Sequence, residues 1–414
     1  MKNKNLKLIL AGQAVSLFGS AIQRVALSLY ILELTGNATL FANILAFSTL
    51  PYILFAPLAG IIADRVNRKK IMVVLDGFSG ILLVLFGGIL SSGNYLVPSV
   101  CITMFLLSAI TCMYNPAVVS SIPQIAGKEE LVRANGLVSQ IGASANFIGP
   151  VLAGVLYSVL GVCGIVWLNA VSFFISAGME CFIQIPDVPK AAKRQNGKSE
   201  IKETFLFLQK EKKAVVGIIA SYGLLNICLV PVTTVLFPYM VNTDWGLGTK
   251  VYGIMEAFLV AGMIASGMFV TKNPKRVPIL SVHKWNYPMC FALFCMGGGL
   301  ILCSENLTGR MVLFMAGIWT LCGSLIMLCL GVGNIVTAAY IQSQIPGELL
   351  GKVSAISTAA ATAAIPVGQM LLGFIMGYSV KISTILIVMS GLNLLVALFV
   401  RWNILNHVEK KPEF

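Results

Sequence analysis

The chain has 414 residues, 57% of them apolar and only 11% charged, with a mean hydropathy of +0.88 and a formal charge of +13. So few charges cannot supply the polar skin of a soluble protein of this length, which excludes that class. A nucleic-acid-binding module is excluded too, because the basic excess has no soluble face to occupy.

The charge falls instead in short clusters between apolar runs that exceed the ~20 residues needed to cross a bilayer. In order, the runs 8–34, 40–63, 71–91, 96–120, 133–160, 162–185, 214–240, 249–271, 279–303, 310–345, 350–380 and 381–403 predict twelve spans. The expected fold class is an all-α membrane protein of two pseudo-symmetric six-helix halves. Several runs are longer than a crossing needs, which predicts tilt, kinks or interfacial ends.

Met1 to Lys7 has the basic character of a signal peptide. The apolar run behind it is too long for one and lacks a small-residue cleavage pattern, so it is expected to stay as span one. Arg24 lies near the middle of that span, where a bare cation costs at least about 2.5–3.5 kcal/mol. Gln13, Ser16 and Ser20 share its helical face, and this polar stripe is expected to line a substrate cavity. Arg24 would bind an anionic substrate group or organise a polar network; satisfaction by neighbouring carbonyls is the structural alternative.

Spans two and three are joined by Gly60-Ile-Ile-Ala-Asp64-Arg65-Val-Asn67-Arg68-Lys69. A weaker copy, from Gly267 through Lys272 to Lys275-Arg276, joins spans eight and nine. A second block, Glu129, Leu131, Arg133, Gly149, Leu152 and Gly154, aligns at constant offset with Glu348, Leu350, Lys352, Gly368, Leu371 and Gly373. The chain is a duplication, and duplicated helical halves build alternating-access carriers.

Gly149-Pro150 and Gly154 predict a helix kink in span five. The basic connection 186–213 is the expected seam, with 1–185 and 214–414 as the two halves. Within it Ile201, Phe205 and Leu208 recur at helical spacing. A helix on the cytoplasmic leaflet and a solvated linker with one amphipathic turn are equally good readings. Gly197-Lys198-Ser199 looks like the end of a phosphate loop, but Ala192 stands where the first glycine belongs and no strand precedes it, which argues against ATP hydrolysis.

Carboxylates are scarce and are therefore candidates for proton coupling. Glu256 lies about two turns inside span eight, Glu33 near the outer end of span one, and Asp76 and Glu180 near the inner ends of spans three and six. A carboxyl in low dielectric can exchange protons near neutrality, as a proton-driven carrier requires. Asn115, Asn146, Asn226, Asn334, Thr337, Thr362 and Gln369 could line a cavity, but helix–helix hydrogen bonds explain each equally well.

With a cytoplasmic N-terminus, all 29 lysines and arginines face the cytoplasm except Lys250, Arg310, Lys381 and the intramembrane Arg24. The positive-inside rule therefore places both termini in the cytoplasm. Ten cysteines without a C-x-x-C pair, and only His283 and His407 as histidines, make a protein metal site improbable.

Gly60 to Lys69 resembles the loop signature of the major facilitator superfamily, G-x-L-x-D-R-x-G-R-[KR], which joins helices two and three. Ile62 replaces its leucine and Asn67 its second glycine. Asparagine tolerates left-handed backbone better than most residues, so the tight turn is expected to survive. More narrowly, Gly12-Gln13-x-x-Ser16-x-x-Gly19-Ser20, Leu50-Pro51, Asp76 and Ala134-Asn135-Gly136 resemble the macrolide-efflux and siderophore-exporter branch. Ile148-Gly149-Pro150 through Ala153-Gly154 resembles the antiporter signature of drug/proton exchangers, with Ala153 where glycine is usual. The basic residue that many proton antiporters carry in span four is missing from 96–120.

The resemblance implies a plasma-membrane secondary transporter rather than an enzyme, monomeric, without a cofactor and without a nucleic-acid partner. Its partners would be a small-molecule substrate, membrane lipid and protons as coupling ion. Gly60, Asp64, Arg65, Arg68 and Lys69 would gate the cytoplasmic face, Asp64 against the positive N-terminal end of span eleven near Gly347-Glu348. Proton-coupled efflux of macrolides or other drugs is the foremost reading. Export of a native metabolite or siderophore, import, and a non-transporting receptor or scaffold remain open.

Overall fold

The computed structural model describes residues 4–93, 96–125, 131–184, 197–273, 276–303, 309–378 and 380–408. The helices are α1 Lys4–Thr35, α2 Ala38–Arg65, α3 Arg68–Ser92, α4 Leu96–Ile125, α5 Leu131–Cys181, α6 Gly197–Glu211, α7 Lys213–Pro231, α8 Phe237–Tyr239, α9 Gly248–Lys272, α10 Asn286–Leu302, α11 Arg310–Gln344, α12 Gly347–Gly377 and α13 Ile382–His407. Among the described residues ten helical stretches are long and apolar enough to cross a membrane. One of them is a double crossing. Helix α5 runs for 51 residues but leaves helical geometry at Gly161, where φ is 64° and ψ 179°. That left-handed φ suits glycine alone, and it falls between the two predicted spans 133–160 and 162–185. With α5 read as two crossings and α2 added, the chain has the twelve spans of the expected all-α fold.

Apolar runs become helices here because lipid offers no partner for a backbone N–H or C=O, so each span must satisfy its own. The exceptions have local causes. Pro231 and Pro238 remove backbone donors, and wide π turns over Val232–Leu236 and Met240–Asp244 follow them, the adjustment by which freed carbonyls regain partners. Helix α5 keeps helical φ/ψ through Gly149 and Pro150 and leaves it at Gly161.

The signature turn differs from its expected geometry. Asn67 has φ −58° and ψ 120°, outside the left-handed region. Its side chain caps α3, accepting from the Lys69 N–H at 3.0 Å and the Lys70 N–H at 3.4 Å. Asparagine replaces glycine at this position as a helix N-cap, which satisfies two otherwise orphaned donors.

The chain packs as two compact units. The first contains 1–37, 44–193 and 247–254; the second contains 38–43, 194–246 and 255–414. In the first, α1 packs most extensively on α5, and α3 on α4 and α5. Close approach comes from small residues: a Cβ on Gly12 would meet Ser176, and one on Gly19 would meet Asn169 and Ser172. Ile9, Met72, Tyr114, Ala117, Val118 and Ile183 form a core at one end of this unit.

The second unit repeats the scheme. Gly149 lies against Ala21 of α1, and its repeat partner Gly368 against Ile227 and Pro231 of α7. Within the first unit Gly154 lies against Gly253; within the second its repeat partner Gly373 lies against Ala42 and accepts the Thr39 hydroxyl at 2.7 Å. The duplicated glycines thus serve duplicated helix crossings, as small residues do in membrane bundles. Helix α6 belongs to the second unit and buries Leu208 among Val215, Ile218, Ile341, Ile345 and Val353, while Phe205 and Leu206 remain exposed. Gly197 to Ser199 form its first turn. Ala192 and most of the basic connection lie outside the described residues.

Candidate functional site

Helices α1, α2, α4 and the first part of α5 enclose a cavity of about 470 Å³ within the first unit. That volume lies in the range of small-molecule sites. Gln13, Leu17, Ser20, Arg24 and Leu27 line it from α1, in steps of three and four residues that keep them on one face. Ser48 and Tyr52 come from α2, Met104, Leu107, Thr111 and Asn115 from α4, and Ala145 and Asn146 from α5.

The Arg24 guanidinium donates to Asn146 Oδ1 at 3.1 Å and lies within Coulombic reach of the Tyr52 phenol. Asn115 Nδ2 in turn donates to the Tyr52 hydroxyl at 3.4 Å. Gln13 is buried, yet its Oε1 has no hydrogen-bond partner among the described residues. The cavity wall is thus apolar for much of its area, with neutral polar groups and one formal cation.

Of the predicted stripe, Gln13, Ser20 and Arg24 face this cavity, whereas Ser16 is buried outside the lining. Helical spacing puts Ser16 on the face of Gly12, Gly19 and Gln23, and Gln23, unlike Ser16, also reaches the cavity lining. That face packs on the second part of α5, where Asn169 Nδ2 donates to Gln23 Oε1 at 2.5 Å. The serine is part of the helix contact.

The carboxylates separate into three settings. Glu33 accepts the Tyr157 hydroxyl at 2.5 Å. Glu180 and Asp76, 0% and 2% exposed, share a buried cluster. There the Tyr114 hydroxyl donates to Glu180 Oε1 at 2.5 Å, and the buried Ser176 lies beside Asp76 and Tyr114. Glu256 is half-buried on α9, in the second unit. None of the four lines the cavity.

Gly60, Asp64 and Arg65 end α2, but their side chains lie outside the described residues, as do those of Gly347 and Glu348 at the start of α12. The expected pairing of Asp64 with that helix end falls there too. Arg68 and Lys69 open α3 and are half-buried. Gly149, Pro150 and Gly154 all sit in α5, where the two glycines are the close-contact points described above.

Sequence reasoning missed Tyr52, Gln23, Tyr114 and Ser176. Gln23 had a legible signal, because it continues the Gly12, Ser16, Gly19 series at helical spacing. Tyr114 had none: its carboxylate partner lies 66 residues away.

Apolar helical spans, an internal duplication and a ligand-sized cavity inside a bundle define a multi-pass membrane transport protein. Residues 9–332 match the profile of the Major Facilitator Superfamily, and the chain belongs to that superfamily. It is 26% identical over 373 residues to macrolide efflux protein A of Streptococcus pyogenes, covering 88% of this chain and 87% of that one. It is 25% identical over 404 residues to the multidrug efflux pump Tap of Mycobacterium bovis, covering 90% and 88%. A bacterial homologue of the iron transporter ferroportin, in an inward-facing state, superposes with a TM-score of 0.72 at 16% identity, over 96% of this chain and 98% of that one.

Proposed function

We propose that this chain is a secondary active exporter of amphipathic small molecules, working by alternating access of halves 1–185 and 214–414 joined through 186–213. The cavity carries the reading. Its mixed apolar and neutral-polar wall suits a molecule with a greasy body and a few polar groups, and the macrolide and multidrug pumps among its relatives support that class. The charge distribution supports a plasma-membrane protein with both termini cytoplasmic, and we take it to work as a monomer.

In this reading the cytoplasmic gate is Gly60, Asp64, Arg65, Arg68 and Lys69. Asn67 supports the assignment by fixing how α3 leaves the turn, because a rigid cap holds Arg68 and Lys69 in one orientation. Protons supply the energy through the acids Asp76, Glu180, Glu33 and Glu256, of which Asp76 and Glu180 are buried and Glu256 half-buried, a setting that favours acids able to alternate between charged and neutral states.

Export is tested in a bacterial host stripped of its own exporters, with and without the chain, against a panel of amphipathic antibiotics. Expression should raise resistance and lower accumulation for at least one compound, and Asp64→Asn should abolish both effects. Unchanged accumulation across the panel would refute export. Glu256→Gln separates coupling from binding: in proteoliposomes it should lose transport driven by an imposed pH gradient and keep counterflow. Wild-type gradient-driven transport by that variant would remove Glu256 from the coupling machinery.

A further inference from the structure

Among the described residues lining the cavity there is one formal charge, Arg24, and no carboxylate. Among the described side chains, the acids of the same unit are engaged elsewhere, Glu33 with Tyr157 and Glu180 with Tyr114, and Asp76 is buried beside Glu180. A guanidinium has five N–H donors in a fixed fork, and the hydrogen bond to Asn146 uses one side of it. Arg24 is exposed, so its remaining N–H donors are open to a molecule in the cavity.

We propose that this cavity takes an amphipathic molecule bearing a carboxylate or comparable oxyanion. Arg24 holds the anion, the Tyr52 hydroxyl donates to it, and Leu17, Leu27 and Leu107 receive the apolar body. The planar guanidinium matches a carboxylate in bidentate geometry. A cationic amphiphile, such as a macrolide with a protonated amine, would bring like charge to Arg24 with no acid in the wall to offset it. The substrate class differs in sign from what the macrolide relatives suggest. The proposal rests on the transporter reading for its biological sense, although the binding site can be tested without transport.

Equilibrium dialysis of the chain in lipid nanodiscs, corrected with empty nanodiscs, tests it. Three probes are used: fusidic acid, an amphipathic carboxylate; its neutral methyl ester, of nearly the same bulk; and erythromycin, a larger amphipathic amine. Fusidate should bind saturably and about tenfold or more tighter than the ester, the order expected when a charge-assisted hydrogen bond is lost. Arg24→Gln should bring the acid down to the level of the ester, with a wild-type melting temperature in detergent showing that the variant is folded. Arg24→Lys, which retains the charge without the fork, should keep a reduced preference for the acid.

Equal wild-type affinity for acid and ester would overturn the proposal. So would a preference that survives Arg24→Gln, tighter binding of erythromycin, or no saturable fusidate binding by folded protein. Counterflow in proteoliposomes separates the two levels. Fusidate that binds through Arg24 but never crosses would refute the transporter reading and leave the site standing, whereas transport of erythromycin alone would refute the site and leave the transporter.

Discussion

Tyr114→Phe removes one oxygen atom from the interior of the first unit and almost no volume, so its effect isolates a single hydrogen bond. Tyr114 is 4% exposed, and its hydroxyl donates to Glu180 Oε1 at 2.5 Å. Glu180 is fully buried, and its Oε2 already lacks a partner among the described residues. The substitution therefore leaves a buried carboxyl without its phenolic donor. Interhelical hydrogen bonds in membrane proteins average only about 0.6 kcal/mol, because the unfolded chain in lipid finds other partners. Stranding a buried acceptor costs more, about 1–3 kcal/mol. With one carboxyl oxygen already unpartnered, the larger figure governs, and a loss of about 1–2 kcal/mol is expected. The assay is equilibrium unfolding in mixed micelles of increasing denaturing-detergent fraction, followed by tryptophan fluorescence. A double-mutant cycle with Glu180→Leu should give a coupling of at least about 0.5 kcal/mol, the threshold for residues in contact. Additive effects, or a Tyr114→Phe protein within about 0.5 kcal/mol of wild type, would refute the claim that this hydroxyl supports the buried acid.

Gly19→Val should cost about 1–3 kcal/mol by overpacking, since its side chain would drive into Asn169 and Ser172; thermal melting in detergent, read as the monodisperse fraction on size exclusion, checks it. Gly77→Ala, with nothing within 4 Å of the new methyl, should melt no lower than wild type. Asn67→Ala should lose about 1 kcal/mol by removing the α3 cap, while Asn67→Gly should cost only a few tenths. A glycine variant more stable than wild type would mean that the turn favours left-handed backbone after all. Leu208→Ala, at a side chain 1% exposed, should cost about 2–5 kcal/mol in the same melt and strip α6 from its site; cleavage of α6 by added protease at the wild-type rate would show that it does not dock there.

The spans were legible because hydropathy and backbone satisfaction leave a membrane segment little choice but helix. Even the division of α5 was visible, as the one-residue gap at Gly161 between two apolar runs. Duplication pointed to paired glycines, and the structure gives each pair an equivalent crossing: Gly149 and Gly368 on α1 and α7, Gly154 and Gly373 on Gly253 and Ala42. Side-chain environment was harder. One polar stripe on α1 concealed two faces, because Ser16 lies only a small rotation from Gln13 yet joins Gly12 and Gly19 in the helix contact. Asn67 stands where the resemblance puts a glycine, which points to a left-handed turn, although asparagine directly before a helix start is an ordinary N-cap. The association of Asp76, Glu180 and Tyr114 depends on how α3, α4 and α5 pack, and no local pattern encodes it.

The central claim is that this chain moves amphipathic small molecules out of the cell. Its most direct test is the loss of preloaded radiolabelled fusidate and erythromycin from energised cells of an exporter-deficient host, with and without the chain. The account predicts faster loss of at least one compound from expressing cells, slowed to the background rate by a protonophore. Identical rates in expressing and control cells for both compounds, with the protein verified in the membrane, would contradict it.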